Sequence, residues 1–79
     1  MQVTIKAGGA IAEYVPGGST TLDVANDACV STVIELLGIP SDKPLMVIVN
    51  DDLIPAVKYA TTLLAQDDRL SLVQPIQAG

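Results

Sequence analysis

Alternation of apolar and polar residues marks the first predicted strand of the chain. In QVTIKA, Val3 and Ile5 fall on one face and polar residues on the other, which is typical of a half-buried β-strand. The Gly-Gly pairs and the proline of GGAIAEYVPGGS break this pattern, so we expect a long connecting loop with a short turn over residues 12–15. The Thr-rich stretch STTLDV then predicts a second strand that pairs with the first as a wide hairpin.

One segment, NDACVSTVIELLGIP, has the apolar spacing of a helix. The positions i, i+3, i+4 and i+7 are occupied by Val30, Val33, Ile34 and Leu37. Gly38, followed shortly by Pro40, supplies a stop signal. We therefore expect one amphipathic helix that packs one face on the sheet.

The stretches LMVIVN, LIP and RLSLVQP predict three further strands, the middle one short. In the last strand Leu70 and Leu72 should face the core, with Ser71 and Val73 outward. The run of five apolar residues in LMVIVN puts apolar side chains on both faces of its strand. One face would pack against the helix; the other is either an exposed patch or is covered by the loop 59–66.

The order strand, strand, helix, strand, short strand, long loop, strand predicts an α+β architecture. We expect a mixed sheet of four to five strands with one main helix on one face. With 79 residues there is room for a single domain, 1–79, which ends in a flexible C-terminal tail, 74–79.

Composition and charge narrow the possible functions. Hydrophobic residues form 49% of the chain and charged residues 16%, as expected for a folded domain. The net charge of −5 and only four basic residues argue against a nucleic-acid partner or an anionic membrane surface. The acidity either favours a basic protein partner or serves only solubility. No stretch is long and apolar enough for a membrane span or a signal peptide, and the single cysteine suits a reducing compartment, so we expect a cytoplasmic protein.

The chain contains no histidine, which excludes histidine-based triads and histidine-bearing zinc sites. A lone cysteine cannot form a thiolate metal site within one chain, so we predict no metal. Cys29 or Asp27 should lie at the helix start, where Cys29 is either a reactive thiol or, more simply, a small capping residue. The doublets Asp51-Asp52 and Asp67-Asp68 are explained more simply by turn chemistry than by paired catalytic carboxylates or a calcium loop.

The second half of the chain, VNDDLIPAVKYATTLLAQDDRLSLVQPIQAG, resembles the ubiquitin-like sulfur-carrier proteins of the ThiS and MoaD type. These are the sulfur carrier of thiamine biosynthesis and the small subunit of molybdopterin synthase. The family's VNG turn appears as Val49-Asn50-Asp51, its DGD turn as Gln66-Asp67-Asp68, and its PPV before the terminal glycines as Gln74-Pro75-Ile76. The stretches EYVPGGSTTLDV and ACVSTVIELLGIP sit where the family has its second strand and its helix.

This resemblance implies the β-grasp fold and a function for the C-terminus. A ubiquitin-activating-type enzyme would use ATP and magnesium to adenylate the Gly79 carboxylate, and a persulfide donor would convert it to a thiocarboxylate. The sulfur would pass to an accepting synthase in thiamine or molybdopterin-type biosynthesis. The chain itself would bind no cofactor and would be a protein substrate without catalytic residues.

The tail residues also suit this role on physical grounds. Six extended residues, 74–79, span at most about 20 Å and can enter a partner's active site. Pro75 stiffens the base of the tail, which continues through Ile76 and Gln77, and Gly79 leaves its carboxyl carbon unobstructed.

Two features beyond the terminal glycine bear on the prediction. Met46 and Ile48, with Val73, are predicted to form the patch that docks on the adenylating enzyme. The family usually ends in Gly-Gly, whereas Ala78 is the penultimate residue here. Either the partner tolerates its methyl group, or the chain is a noncatalytic ubiquitin-like interaction module that has lost carrier activity.

Overall fold

The computed structural model describes residues 1–40, 42 and 44–74. These residues form one five-stranded mixed sheet and one α-helix, as predicted. The strands are β1 (Gln2–Ala7), β2 (Ser19–Asp23), β3 (Met46–Val49), β4 (Asp52–Ile54) and β5 (Arg69–Val73), and the helix is α1 (Val30–Leu37). The strand order across the sheet is β2-β1-β5-β3-β4.

The first two strands form the antiparallel hairpin that the sequence predicts. Val3 pairs with Leu22 and Ile5 with Thr20, and both Val3 and Ile5 are fully buried. β1 also pairs with β5 in parallel, with Ile5 beside Leu70. The first and last strands are therefore neighbours in the interior of the sheet.

Helix α1 covers one face of the sheet through the predicted apolar stripe. Val30 and Val33 are fully buried, and Ile34 and Leu37 pack against the same core. The helix ends as expected at Gly38, whose φ of 74° is left-handed and therefore suits a residue without a Cβ. The amide of Ile39 donates to the carbonyl of Ile34 at 3.2 Å, which closes the last turn.

The segment between β1 and β2 differs from the predicted loop. It forms two 3₁₀ helices, Gly9–Tyr14 and Pro16–Gly18, rather than a single short turn over 12–15. Ile11 and Val15 are almost completely buried in the core. The prediction was wrong here because only two apolar residues, four positions apart, point to the core. A pattern this short does not distinguish a 3₁₀ segment from a loop.

The two predicted acidic turns adopt the left-handed backbone conformation that Asn and Asp tolerate. Asn50 and Asp51 have φ of 49° and 74°, and they connect β3 to β4. Asp67 has φ of 68° directly before β5. Asn and Asp tolerate this region better than most residues with a Cβ, which confirms turn chemistry as the role of these positions.

Candidate functional site

Strand β5 lies in the centre of the sheet and leads to the C-terminus. It is bonded on one side to β1 and on the other to β3, where Met46 pairs with Val73. Beyond the β1 ladder, the amide of Gly8 donates to the carbonyl of Leu72 at 3.0 Å. The last strand is thus paired on both edges close to its final residue, which fixes the point where residue 74 leaves the sheet.

The predicted sulfur-carrying C-terminus, Ala78 and Gly79, lies beyond this point. So do the predicted tail and partner-binding residues Pro75, Ile76 and Gln77, and all five are outside the described residues. Their roles therefore remain predictions. Gln74, the last described residue of the tail, is exposed.

The structure brings together the three predicted docking residues on the sheet face opposite α1. We call Met46, Ile48, Leu53 and Val73 the outer patch. Their strand neighbours Val47 and Leu72 are fully buried on the helix side, so the alternation of β3 and β5 turns the patch residues outward. Met46 pairs directly with Val73, and Ile48 pairs directly with Leu53. The patch is therefore continuous across β5, β3 and β4.

Leu53 was missing from the predicted patch, although its side chain is 61% exposed. Strand β4 has only three residues, Asp52–Ile54, which is too short for alternation to assign its faces. The exposure of Leu53 follows from the antiparallel pairing of β3 with β4. Ile54 lies opposite Val47 and packs against the core, so its neighbour Leu53 points outward.

The hydrogen bonds that position the loop 59–66 hold it on the side of the sheet away from the outer patch. Its hydrogen bonds run to the start of α1: Ser31 donates to the carbonyl of Tyr59 at 3.0 Å, and Val30 donates to that of Thr62 at 3.1 Å. Leu64, which is buried in the core, donates to the carbonyl of Ala28 at 2.9 Å. These bonds hold the loop on the helix side of the sheet, which favours an exposed outer patch over the covered alternative.

Cys29 occupies the N-cap of α1, which resolves the choice between it and Asp27. Its amide donates to the hydroxyl oxygen of Thr32 at 3.3 Å, and its Sγ lies 3.5 Å from the same oxygen. The hydrogen bond with the Thr32 side chain, followed by backbone bonds at the helix start, lowers the pKa of the thiol against the opposing effect of burial. The arrangement supports the capping role.

The carboxylate of Asp68 is used to join two turns. Its two oxygens accept from the side-chain amide of Asn50 and the backbone amide of Ala65, both at 2.7 Å.

Within the described ranges, no group of three or more His, Cys, Asp or Glu residues is arranged to hold a metal. In the same part of the chain, no helix is long and apolar enough to cross a membrane.

Known structures with the same architecture are small ubiquitin-like proteins. SAMP1 of Haloferax volcanii matches over 100% of both chains with a TM-score of 0.77 and 20% identity. The thiamine biosynthesis protein ThiS of Geobacter metallireducens matches over 100% of both chains with a TM-score of 0.71 and 16% identity. A chain from the complex of subunits 1 and 2 of the molybdopterin-converting factor of Helicobacter pylori also covers 100% of both chains, with a TM-score of 0.68 and 24% identity.

These likenesses establish the β-grasp fold. No curated protein matches the chain significantly. The model of the ThiS family matches residues 9–79, which include the second strand, the helix, both turns and the terminal glycine. The chain therefore belongs to the ThiS family of ubiquitin-like sulfur-carrier proteins.

Proposed function

We propose that this protein is a sulfur carrier whose C-terminal Gly79 is adenylated and then converted to a thiocarboxylate. The observation that carries the proposal is the match to the ThiS family through residue 79. The fold supports it, because β5 is held on both edges and its last residue, Val73, belongs to the outer patch. In this function the chain is a substrate of other enzymes and contributes no catalytic residue of its own.

The chemistry explains why a partner is needed. A carboxylate is a poor electrophile because its negative charge is delocalised and its oxygens are poor leaving groups. In the proposed first step, a Gly79 carboxylate oxygen attacks the α-phosphorus of ATP and pyrophosphate leaves. The terminal sulfur of a persulfide then attacks the acyl carbon and AMP leaves. A thiol finally reduces the acyl disulfide, which releases the thiocarboxylate.

The outer patch is the proposed docking surface for the adenylating enzyme. Exposed apolar clusters on small proteins commonly mark partner surfaces. Met46 and Val73 lie next to the strand end from which residues 74–79 continue. A partner seated on the patch would therefore have the tail within reach of its active site.

The proposed partners follow from these steps. They are a ubiquitin-activating-type adenylating enzyme, a persulfide donor and a sulfur-accepting synthase, and neither nucleic acid nor membrane takes part. ATP and magnesium belong to the adenylating enzyme, and the chain binds no cofactor. The accepting pathway is of the thiamine or molybdopterin type, and we place the reaction in the cytoplasm because a single cysteine suits a reducing compartment.

Intact mass spectrometry tests the proposal. The protein is incubated with the adenylating enzyme of its own organism, ATP, magnesium, a persulfide donor and a thiol reductant. We expect a mass gain equal to the exchange of one oxygen for sulfur in the parent chain and none when Gly79 is deleted. No gain in the parent, with an enzyme proven active on a Gly-Gly carrier, would contradict the proposal.

The second candidate function is a noncatalytic interaction module, and the observation that favours it is Ala78. A Cβ at the penultimate position restricts the backbone and widens the tail, so a channel shaped for two glycines would exclude it. The variant Ala78→Gly separates the two functions. If only Ala78→Gly gains sulfur while both chains bind the enzyme, the interaction module is the better description.

A further inference from the structure

Two cationic side chains lie together on the outer face of the sheet, next to the outer patch. Lys6 on β1 alternates with the buried Val3 and Ile5, and Arg69 on β5 alternates with the buried Leu70, so both point away from α1. In the parallel ladder, Lys6 lies beside Ser71 and Thr4 lies beside Arg69, which makes the two cations diagonal neighbours. Both residues are exposed.

A shallow cavity of about 190 Å³ opens between these cations. Besides Lys6 and Arg69 it is lined by Thr4, Leu70, Ser71, Asn50 and Asp51. One water occupies about 30 Å³ of liquid, so a carboxylate group fits without displacing protein atoms. The hydroxyls and the two cations offer hydrogen-bond donors on several sides, whereas Asp51 at the turn contributes the one carboxyl group of the lining.

Neither cation is neutralised within the described part of the chain. The ion pair found there joins the N-terminal ammonium to Asp23 at 3.5 Å, and no carboxylate of a described residue lies within 4 Å of the Lys6 or Arg69 nitrogens. The acid next to Arg69 in sequence, Asp68, is bound to Asn50 and Ala65. The lining thus keeps a formal charge of +1 in a chain whose net charge is −5.

We infer that the cavity between Lys6 and Arg69 receives an aspartate or glutamate side chain of the adenylating enzyme. This inference rests on the proposed function and deepens it by naming the chemistry of the contact. The cavity is continuous with the outer patch, because Ser71 lies between Lys6 on one side and Ile48 on the other. A partner that covers the patch therefore also covers the cavity.

The expected partner surface combines opposite charges. The acidic chain as a whole attracts a neutral or basic surface, while this one site attracts an acid. An arginine and a lysine on either side of one carboxylate satisfy more of its lone pairs than a single cation does. Such a pairing sets the orientation and register of the complex more than its total affinity.

Binding measurements with matched charge changes test the inference. The variants Lys6→Gln and Arg69→Gln are compared with Lys58→Gln, which removes the same charge from an exposed residue of the 3₁₀ helix Ala56–Lys58. That helix is followed by Tyr59, which is bonded to α1, so the control lies away from the outer face. The probe is the adenylating enzyme of the same organism, titrated at low and at physiological ionic strength.

We expect Lys6→Gln and Arg69→Gln each to raise the Kd roughly tenfold at low ionic strength, and Lys58→Gln to change it less than about twofold. The variant Lys6→Arg should stay close to the parent. In a carbodiimide reaction, which condenses an amine and a carboxylate with loss of water, Lys6 should be joined to an acidic residue of the enzyme.

Equal affinities for the two cavity variants and the Lys58 control would overturn the inference while leaving the proposed function intact. A parent chain that neither binds the enzyme nor gains sulfur would overturn both. If Arg69→Gln failed to fold, as judged by its circular dichroism, the comparison of Lys6→Gln with Lys58→Gln would still decide the matter.

Discussion

Both faces of β3 and β5 carry apolar residues, yet the two faces lie in different environments, and the outer face of β5 also carries Arg69 and Ser71. On the helix side, Val47, Leu70 and Leu72 are almost completely buried, whereas on the other side Met46 and Val73 remain half-exposed. The residue types are similar, and the strands are the same. The difference is that α1, the segment with Ile11 and Val15, and the loop 59–66 all pack on one side. Apolar residues on the covered face stabilise the fold, and those on the other face are the proposed contacts of a partner.

The largest expected effect is on the covered face. Leu72→Ala removes a fully buried side chain from the central strand and leaves a cavity. We expect the free energy of unfolding to fall by about 3 kcal/mol. Urea denaturation followed by circular dichroism measures this, and a loss below about 1 kcal/mol would show that the covered face is less tightly packed than the structure indicates.

A matched pair of isosteric substitutions tests the two faces of the sheet against each other. Val47→Thr places a hydroxyl in a fully buried apolar site, and we expect it to cost about 2 kcal/mol of unfolding free energy. Val73→Thr makes the same change on the outer patch, where water can reach the hydroxyl, and should cost less than about 0.5 kcal/mol. Enzyme binding should reverse the order, with Val73→Thr the weaker binder. Similar unfolding costs for the two would remove the distinction between the faces.

Most of the covered face could be predicted from the sequence. Alternation identified Val3, Ile5, Leu70 and Leu72 as core residues because each lies in a strand long enough to show a period of two. Leu53 and the buried pair Ile11 and Val15 were missed, since a three-residue strand and a 3₁₀ segment show no clear period.

The cavity between Lys6 and Arg69 could not be predicted for a different reason. It depends on the parallel pairing of the first strand with the last. Residues so far apart in the chain share a face only once the register is known. The role predicted for Gly79, in contrast, came from the resemblance of the sequence to a family and needed no knowledge of packing.

A smaller effect is expected where the turn before β4 meets β5. The side chain of Asn50 accepts from the Arg69 amide at 2.9 Å and donates to Asp68 at 2.7 Å. Asn50→Ala removes both bonds and puts alanine at a φ of 49°, so the unfolding free energy should fall by about 1 to 2 kcal/mol. Asp52→Ala, a change at an exposed neighbour, is the control and should cost less than about 0.5 kcal/mol. Equal losses would deny Asn50 this structural role.

The smallest effect concerns the pH dependence of Cys29. Because hydrogen bonds with Thr32 lower the pKa of the thiol in the folded protein, the folded state binds its thiol proton less tightly than the unfolded state does. The Cys29 thiol therefore contributes to the free energy of unfolding above the pKa that it has in the unfolded state. This contribution is lost as the pH falls through the pKa that it has in the folded state. The rate of alkylation by iodoacetamide should show a lower midpoint in the folded protein than in denaturant. A folded midpoint at or above the unfolded one would contradict the capping geometry.

The most direct test of the account is to locate the sulfur after the complete reaction. Fragmentation of the product by tandem mass spectrometry assigns the added mass to a position in the chain. We expect one oxygen to be exchanged for sulfur in the fragment that ends at Gly79, in both the parent and a chain alkylated at Cys29. Sulfur added to Cys29 as a persulfide, with an unchanged C-terminal fragment, would contradict it and make the cysteine the functional group.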